Sequence, residues 1–352
     1  MTYYFVLNRD SEEVGELHAF EKLYIDAFLT HVDVKTISFK SDLVALDRCQ
    51  CLIFVGFLPD EAVKLKPFHK IIHLIIDKYL VQSKLVDVLA SHRNIDRILD
   101  ALYAKVIPDL IIVNNSLMKM DFEHYFHRKN LDVFVESCPH PLSAYNEKTY
   151  LESKRLKTSI NKRTGCFLIE SAAKLNGKLL HRIFGEAIAQ RILFIPYFRQ
   201  KEIAEALSSD GLVLSLLNLR ISSIGFKFIF TKKGVKYLRD YFLWVWPNFL
   251  KVPSKSNNER PFQTINSRWK PSTKLGTAIA LNLPLTSPAE YSLVEFAKEI
   301  NFQDLYIYEH GHDLLEIAEE IANKTDYSDC KRKLQSSIDE SIRSLLSRVT
   351  YR

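Results

Sequence analysis

A chain of 352 residues with 47% hydrophobic and 12% aromatic residues is long for one core and implies two packed interiors. Its net charge of +6 with 26% charged residues permits an anionic substrate or an anionic membrane surface and requires neither. The basic residues are interspersed with acidic ones rather than gathered into a stripe with aromatics, which argues against a nucleic-acid partner. Cys49, Cys51, Cys138, Cys166 and Cys330 are odd in number and contain no Cys-x-x-Cys pair, so reduced thiols in a cytosol-like compartment are expected. The opening Tyr3-Tyr4-Phe5-Val6-Leu7 is too short, and lacks the basic lead, for a signal peptide. No run reaches the length of a membrane span.

In chain order, 3–7 reads as a strand rich in aromatic and β-branched residues. A polar loop, 8–15, leads to a helix with Leu17, Phe20, Leu23, Tyr24, Ala27 and Phe28 at helical spacing. Strand-like runs recur at 34–39, 51–56, 71–76, 110–114 and 133–136, with a helical stretch at 83–104. Strands alternating with helices imply a parallel sheet with crossovers. The continuous apolar character of 71–76 fits a sheet covered on both faces. Ligands of such sheets sit at the carboxyl ends of strands, which makes Asp77, Asn114, Asn115, Ser116 and 137–140 candidates by position. His140 stands between Pro139 and Pro141, a stiff turn that would aim its imidazole; the alternative is a surface turn closing the first domain. His73 reads as a hydrogen-bonded core residue. His124 and His127, beside Asp121 and Glu123, have no third ligand at a metal-binding spacing and read as a solvated helix face.

The polar, basic stretch 147–163 reads as a domain link. Beyond it, 166–169, 191–196, 211–219, 226–231 and 242–247 read as strands and 178–190 as a helix. A polar loop, 248–267, has the length of a functional loop and precedes the most informative stretch as a mobile flap would. That stretch, 268–288, reads as a basic loop, a short helix and a buried strand. Pro271 suits a first helical turn. Ser272 and Thr273 place hydroxyls beside backbone N–H groups, and Lys270 and Lys274 add charge, together a site for a phosphate or diphosphate. Asn282 closes the helix in the left-handed conformation, and 283–286 follows as a strand. The alternative is an ordinary loop–helix–strand unit with its lysines in solvent. A helix at 293–299, a strand at 305–308 and helices at 313–323 and 330–349 complete the chain.

The pattern Lys270-Pro271-x-Thr273-Lys274-Leu275, then Ala278-x-Ala280, then Asn282-x-Pro284, resembles the donor-binding segment of sugar-nucleotide glycosyltransferases of the B fold (GT-B). It is nearest to the retaining family-four type and its relatives in bacterial polysaccharide synthesis. The resemblance implies an α/β protein of two Rossmann-like domains whose parallel sheets face an interdomain cleft. The acceptor domain would span 1–150 and the donor domain 151–330, with 331–352 a helix packing back on the first. It implies a nucleotide diphosphate sugar as donor, a saccharide or lipid-linked acceptor, no cofactor and no metal. No Asp-x-Asp motif stands at a strand end, which argues against the metal-dependent single-domain fold. Peripheral membrane contact and a cytoplasmic location at the inner membrane face follow from lipid-linked acceptors.

On the same resemblance, Lys274 and His140 are the catalytic candidates. Lys270, Ser272, Thr273 and Lys274 would hold the diphosphate, and Thr277 would bond ribose or phosphate. Arg199 and Lys201 would add cations, Glu290 or Glu295 would bind a donor hydroxyl, and Gly15 and Glu16 would fill the first loop. Gly15-Glu16 reads equally well as part of a plain strand–loop–helix unit. The chain departs from the family in having Trp269 and Thr277 where retaining enzymes carry two glutamates, and in a single glycine at the first loop. With only 10 glycines, a degenerate relative that binds a saccharide or scaffolds an assembly is the second expectation.

Overall fold

The computed structural model describes residues 2–7, 19–39, 50–75, 95–140, 166–170, 185–189, 191–195, 214–218, 269, 272–308, 313–321 and 327–350. The chain forms two compact units, one of Met1–Pro141, Ser256–Ser272 and Lys333–Arg352, the other of Leu142–Lys255 and Thr273–Arg332.

The first unit contains β1 (Tyr3–Leu7), α1 (Ala19–Leu29), β2 (Val34–Ser38), β3 (Cys51–Val55), β4 (Lys70–Leu74), α2 (Ile95–Leu102), β5 (Leu110–Val113), α3 (Ser116–Arg128) and β6 (Phe134–Ser137). Its sheet has the order β2-β1-β3-β4-β5-β6, every pairing parallel. The second unit contains β7 (Cys166–Glu170), α4 (Glu186–Ala189), β8 (Ile192–Ile195), β9 (Leu214–Leu217), α5 (Thr273–Leu281), β10 (Leu285–Ser287), α6 (Tyr291–Glu299), β11 (Leu305–Ile307) and α7 (Asp313–Glu320). Its sheet runs β11-β10-β9-β7-β8, again wholly parallel. The protein is therefore α/β with two parallel sheets. Each sheet reverses its winding between its first and third strands, the feature that opens a ligand crevice at the carboxyl ends of doubly wound sheets. The strands expected at 226–231 and 242–247 and the loop at 248–267 lie outside the described residues. Among the described residues, no helix is long and apolar enough to cross a membrane.

Parallel strands covered on both faces are apolar throughout, and β3 and β5 are buried at every position. The last helix, α8 (Ser328–Thr350), starts in the second unit and ends in the first. Leu334, Ile338, Ile342, Leu345 and Val349 form its buried stripe, at the spacing of one helix face. Ser344 Oγ donates to Glu136 Oε2 at 2.9 Å and Ser341 Oγ to the Ser137 carbonyl at 2.7 Å, which ties α8 to the end of β6. Segment 256–272, read from sequence as part of the second half, belongs to the first unit. Trp269 accounts for this: its side chain is fully buried beside Phe122, ring centroids 5.3 Å apart, and its Nε1 donates to Asp121 Oδ2 at 2.8 Å.

Asn takes the place of glycine at three helix ends. Asn130, Asn282 and Asn301 have φ of 54°, 57° and 59°. At Asn282 the next residue, Leu283, donates to the Ala278 carbonyl at 2.9 Å and Asn282 itself to Ile279 at 3.2 Å, the paired bonds of a Schellman stop. The same pair of bonds recurs after Asn130 and Asn301. Pro284 stays outside β10, but its carbonyl accepts from Leu216 N at 2.9 Å.

His73, mid-strand in β4, is fully buried, with Nδ1 3.0 Å from the Tyr103 hydroxyl. Burial holds its pKa down, from 6.5 to about 3. Between pH 6.5 and pH 3 the unfolded chain therefore binds a proton that the folded chain does not. This contribution is intact above pH 6.5 and drains away as the pH falls toward 3. Urea unfolding across this range is expected to show stability dropping with acidification, with a shallower drop in His73→Gln; equal slopes would contradict the assignment.

Candidate functional site

The start of α5 is built by the chain itself. Leu275, Gly276, Ala278, Ile279 and Leu281 are buried, and the helix packs on β9 and β10. Thr273, Lys274 and Thr277 fall on the half-buried remainder. The first N–H groups of any α-helix lack an intrahelical partner and carry partial positive charge. A serine just before a helix ordinarily caps it by accepting from one of these groups. Ser272 is 8% exposed, and its Oγ has no hydrogen-bond partner. A buried hydroxyl beside a helix start that it does not cap, with a lysine in the first turn, is the arrangement an anionic oxygen ligand would complete.

At the carboxyl ends of β9 and β10 lies a buried polar network. Asn218 follows β9 and donates its backbone N–H to the Thr286 carbonyl at 2.8 Å. Its Nδ2 donates to Ser287 Oγ at 2.9 Å and to Glu290 Oε1 at 3.1 Å. Tyr308 OH donates to the Asn218 carbonyl at 3.0 Å, and Ser287 Oγ to the Pro288 carbonyl at 2.9 Å. One layer deeper, Ser215 Oγ and Thr286 Oγ1 are 2.8 Å apart. Glu290 is buried at the N-cap of α6 but makes no side-chain capping bond. Its carboxylate is held by Asn218 just beyond the carboxyl end of β10. Glu295 differs: on α6 it pairs with Lys298 at 2.8 Å as a partly exposed i,i+3 couple, an arrangement of little energetic consequence. Of the two glutamates expected as alternatives, Glu290 alone sits in the network.

His140 belongs to the first unit. It is buried rather than part of a surface turn, and meets Tyr24 edge-on, ring centroids 5.3 Å apart. Tyr24 OH donates to the Cys138 carbonyl at 3.3 Å. Burial, helped by the nearby thiol, raises the Tyr24 phenol well above its ordinary value. Burial, with Glu136 and Asp339 adding to it, pushes the Cys138 thiol to about 12. Neither neighbour of His140 is poised as a proton carrier or nucleophile near neutral pH. Gly15, Glu16, Asp77, Arg199, Lys201 and Lys270 lie outside the described residues. His124 and His127 are exposed on α3. Asn218 and Ser287 escaped the sequence reading; the one available signal was a polar residue directly after an apolar strand.

No family model matches the sequence, and no curated protein matches it significantly. Solved structures similar to the chain include the N-terminal domain of trehalose-6-phosphate phosphatase from Candida albicans, with a TM-score of 0.45 and 9% identity, covering 99% of this chain and 96% of that one. Anabaena HepE in complex with UDP and glucose has a TM-score of 0.43 and 12% identity over 98% of this chain and 99% of its own. Sucrose-phosphate synthase from Thermosynechococcus elongatus has a TM-score of 0.39 and 10% identity over 98% and 95%. Likeness at this level leaves the functional reading to the residues of the site.

The network makes a direct prediction. Asn218→Asp sets a second carboxylate against buried Glu290, so one must take a proton or both must repel. The variant is expected to lose about 1–3 kcal/mol at neutral pH and to recover part of this on acidification. Thermal melting across pH measures it; wild-type melting at neutral pH would contradict the bonding described.

Proposed function

We propose that the protein is a metal-independent glycosyltransferase. It moves a sugar from a nucleotide diphosphate sugar to a saccharide or lipid-linked acceptor in surface polysaccharide or glycoconjugate synthesis. The observation that carries this reading is the unpartnered, buried Ser272 hydroxyl at the start of α5. The lysine-and-hydroxyl pattern of that segment, with its resemblance to donor-binding segments, supports it.

In this reading the helix start takes the donor diphosphate. Ser272 Oγ and the first N–H groups donate to its oxygens, Thr273 adds a hydroxyl, and Lys274 neutralises the charge that grows as the diphosphate leaves. Fixed donors and charges aimed at developing negative charge lower a barrier without reorganising. Thr277, one turn further on, bonds ribose or phosphate, and Glu290, positioned by Asn218, accepts from a donor hydroxyl. Lys270, Arg199 and Lys201 supply further cations, and Gly15 and Glu16 border the donor from the first loop. The acceptor binds the first unit, where His140 contacts a sugar hydroxyl. Such acceptors imply work at the cytoplasmic face of a membrane, reached by peripheral contact.

One observation favours a second reading, a non-catalytic saccharide binder. Trp269 stands where the resembling retaining enzymes carry a glutamate, and its indole is committed to the first unit's core. No carboxylate can act from that position, and the indole offers no nucleophile in its place. Release of nucleoside diphosphate from a panel of sugar nucleotides separates the two readings. A transferase is expected to turn over at least one donor, with Lys274→Ala slowed about a hundredfold or more and its melting unchanged. Undiminished turnover in that variant would remove the proposed role of the lysine. Absence of both turnover and calorimetric binding across the panel would favour the second reading.

A further inference from the structure

The first unit's sheet ends, at β5, on two asparagines that the transfer chemistry above does not use. Asn115 caps α3: its backbone is extended, with φ of −159° and ψ of 162°, and its Oδ1 accepts from Met118 N at 2.8 Å. An atom that accepts from a backbone N–H is the carbonyl oxygen, so the orientation of this amide is fixed by chemistry. The Asn115 atom lying 2.6 Å from Asn114 is then the nitrogen, and the Asn114 atom it meets is the oxygen. Both N–H donors of Asn114 consequently lie at the other end of its amide. Asn114 is 2% exposed, and its Nδ2 has no hydrogen-bond partner. A buried amide donor left in that state is costly and uncommon.

The place gives the orphan donor a use. It lies at the carboxyl end of β5, a parallel strand flanked by β4 and β6, beside the start of a 13-residue helix, where α/β sheets receive ligands. The adjoining strand end continues into Cys138, whose N–H donates to the Val113 carbonyl at 2.8 Å, and then into buried His140. The ligand chemistry follows from charge. Lys119, in the first turn of α3, pairs with Glu136 at 3.0 Å, so the cation nearest in sequence is already committed to a carboxylate. A neutral amide donor in such surroundings matches a neutral oxygen better than an anion.

The geometry points to Asn114 Nδ2 as the anchoring donor of a saccharide-hydroxyl site in the first unit, with the orientation of the amide set by the Asn115 cap. The identity of that saccharide as the acceptor rests on the proposed function; the existence of the site does not.

The test uses the full chain with ¹⁵N-labelled asparagine, its side-chain amides assigned through bonds. Glucose, galactose, mannose and N-acetylglucosamine are titrated separately, and UDP in a parallel experiment. At least one sugar is expected to shift the Asn114 amide pair saturably. Asn114→Asp is expected to weaken that sugar about tenfold or more and to leave UDP affinity unchanged. If that variant does not fold, the shift in the wild-type chain decides. Resonances unmoved by all four sugars would overturn the site, as would contact of this amide with one long-lived water in both free and sugar-saturated protein. A sugar shift without UDP binding would sustain the site and remove the diphosphate reading alone.

Discussion

The buried indole of Trp269 is the packing constraint that assigns the segment before α5 to the first unit. Its ring fills the core of the first unit against Phe122, and its N–H is satisfied by Asp121. An aromatic ring of this size in a packed interior fixes the backbone that carries it. The division between the two units falls between Ser272 and Thr273, three residues beyond that anchor.

A second theme is the handling of buried polar groups at strand ends. In the second unit, Asn218, Ser287 and Glu290 satisfy one another, with Tyr308 closing the set. At the deeper positions Ser215 and Thr286 do the same. Networks of this kind stiffen the ends of strands because each member loses a partner if any other moves. Against that background, an unpartnered Ser272 hydroxyl and an unpartnered Asn114 Nδ2 stand out. Each lies at the beginning of a helix or the end of a strand, the places where parallel sheets receive ligands.

Much of the architecture was legible from residue order. Strands β3 and β5 are continuous apolar runs because both their faces are covered, and such runs are read directly. The stop of α5 at Asn282 was legible too, since asparagine tolerates the left-handed backbone; Asn130 and Asn301 use the same device and went unread. What pattern could not supply was register between distant strands. The Asn218–Glu290 bond joins residues 72 apart in sequence, and nothing local in 214–218 announces it. The membership of Trp269 in the first unit was hidden for the same reason. An aromatic residue in a basic loop carries no mark of the core it enters. His140 was legible as a stiffened position between prolines, but its burial against Tyr24 depends on the packing of α1, which local sequence does not encode.

The central claim is that the start of α5 holds a donor diphosphate. The most direct measurement is an experimental structure of the protein with UDP bound. The account predicts diphosphate oxygens within hydrogen-bonding distance of Ser272 Oγ and of the first backbone N–H groups of the helix, with Lys274 alongside. UDP seated elsewhere, or a Ser272 hydroxyl still without a partner in the complex, would contradict it.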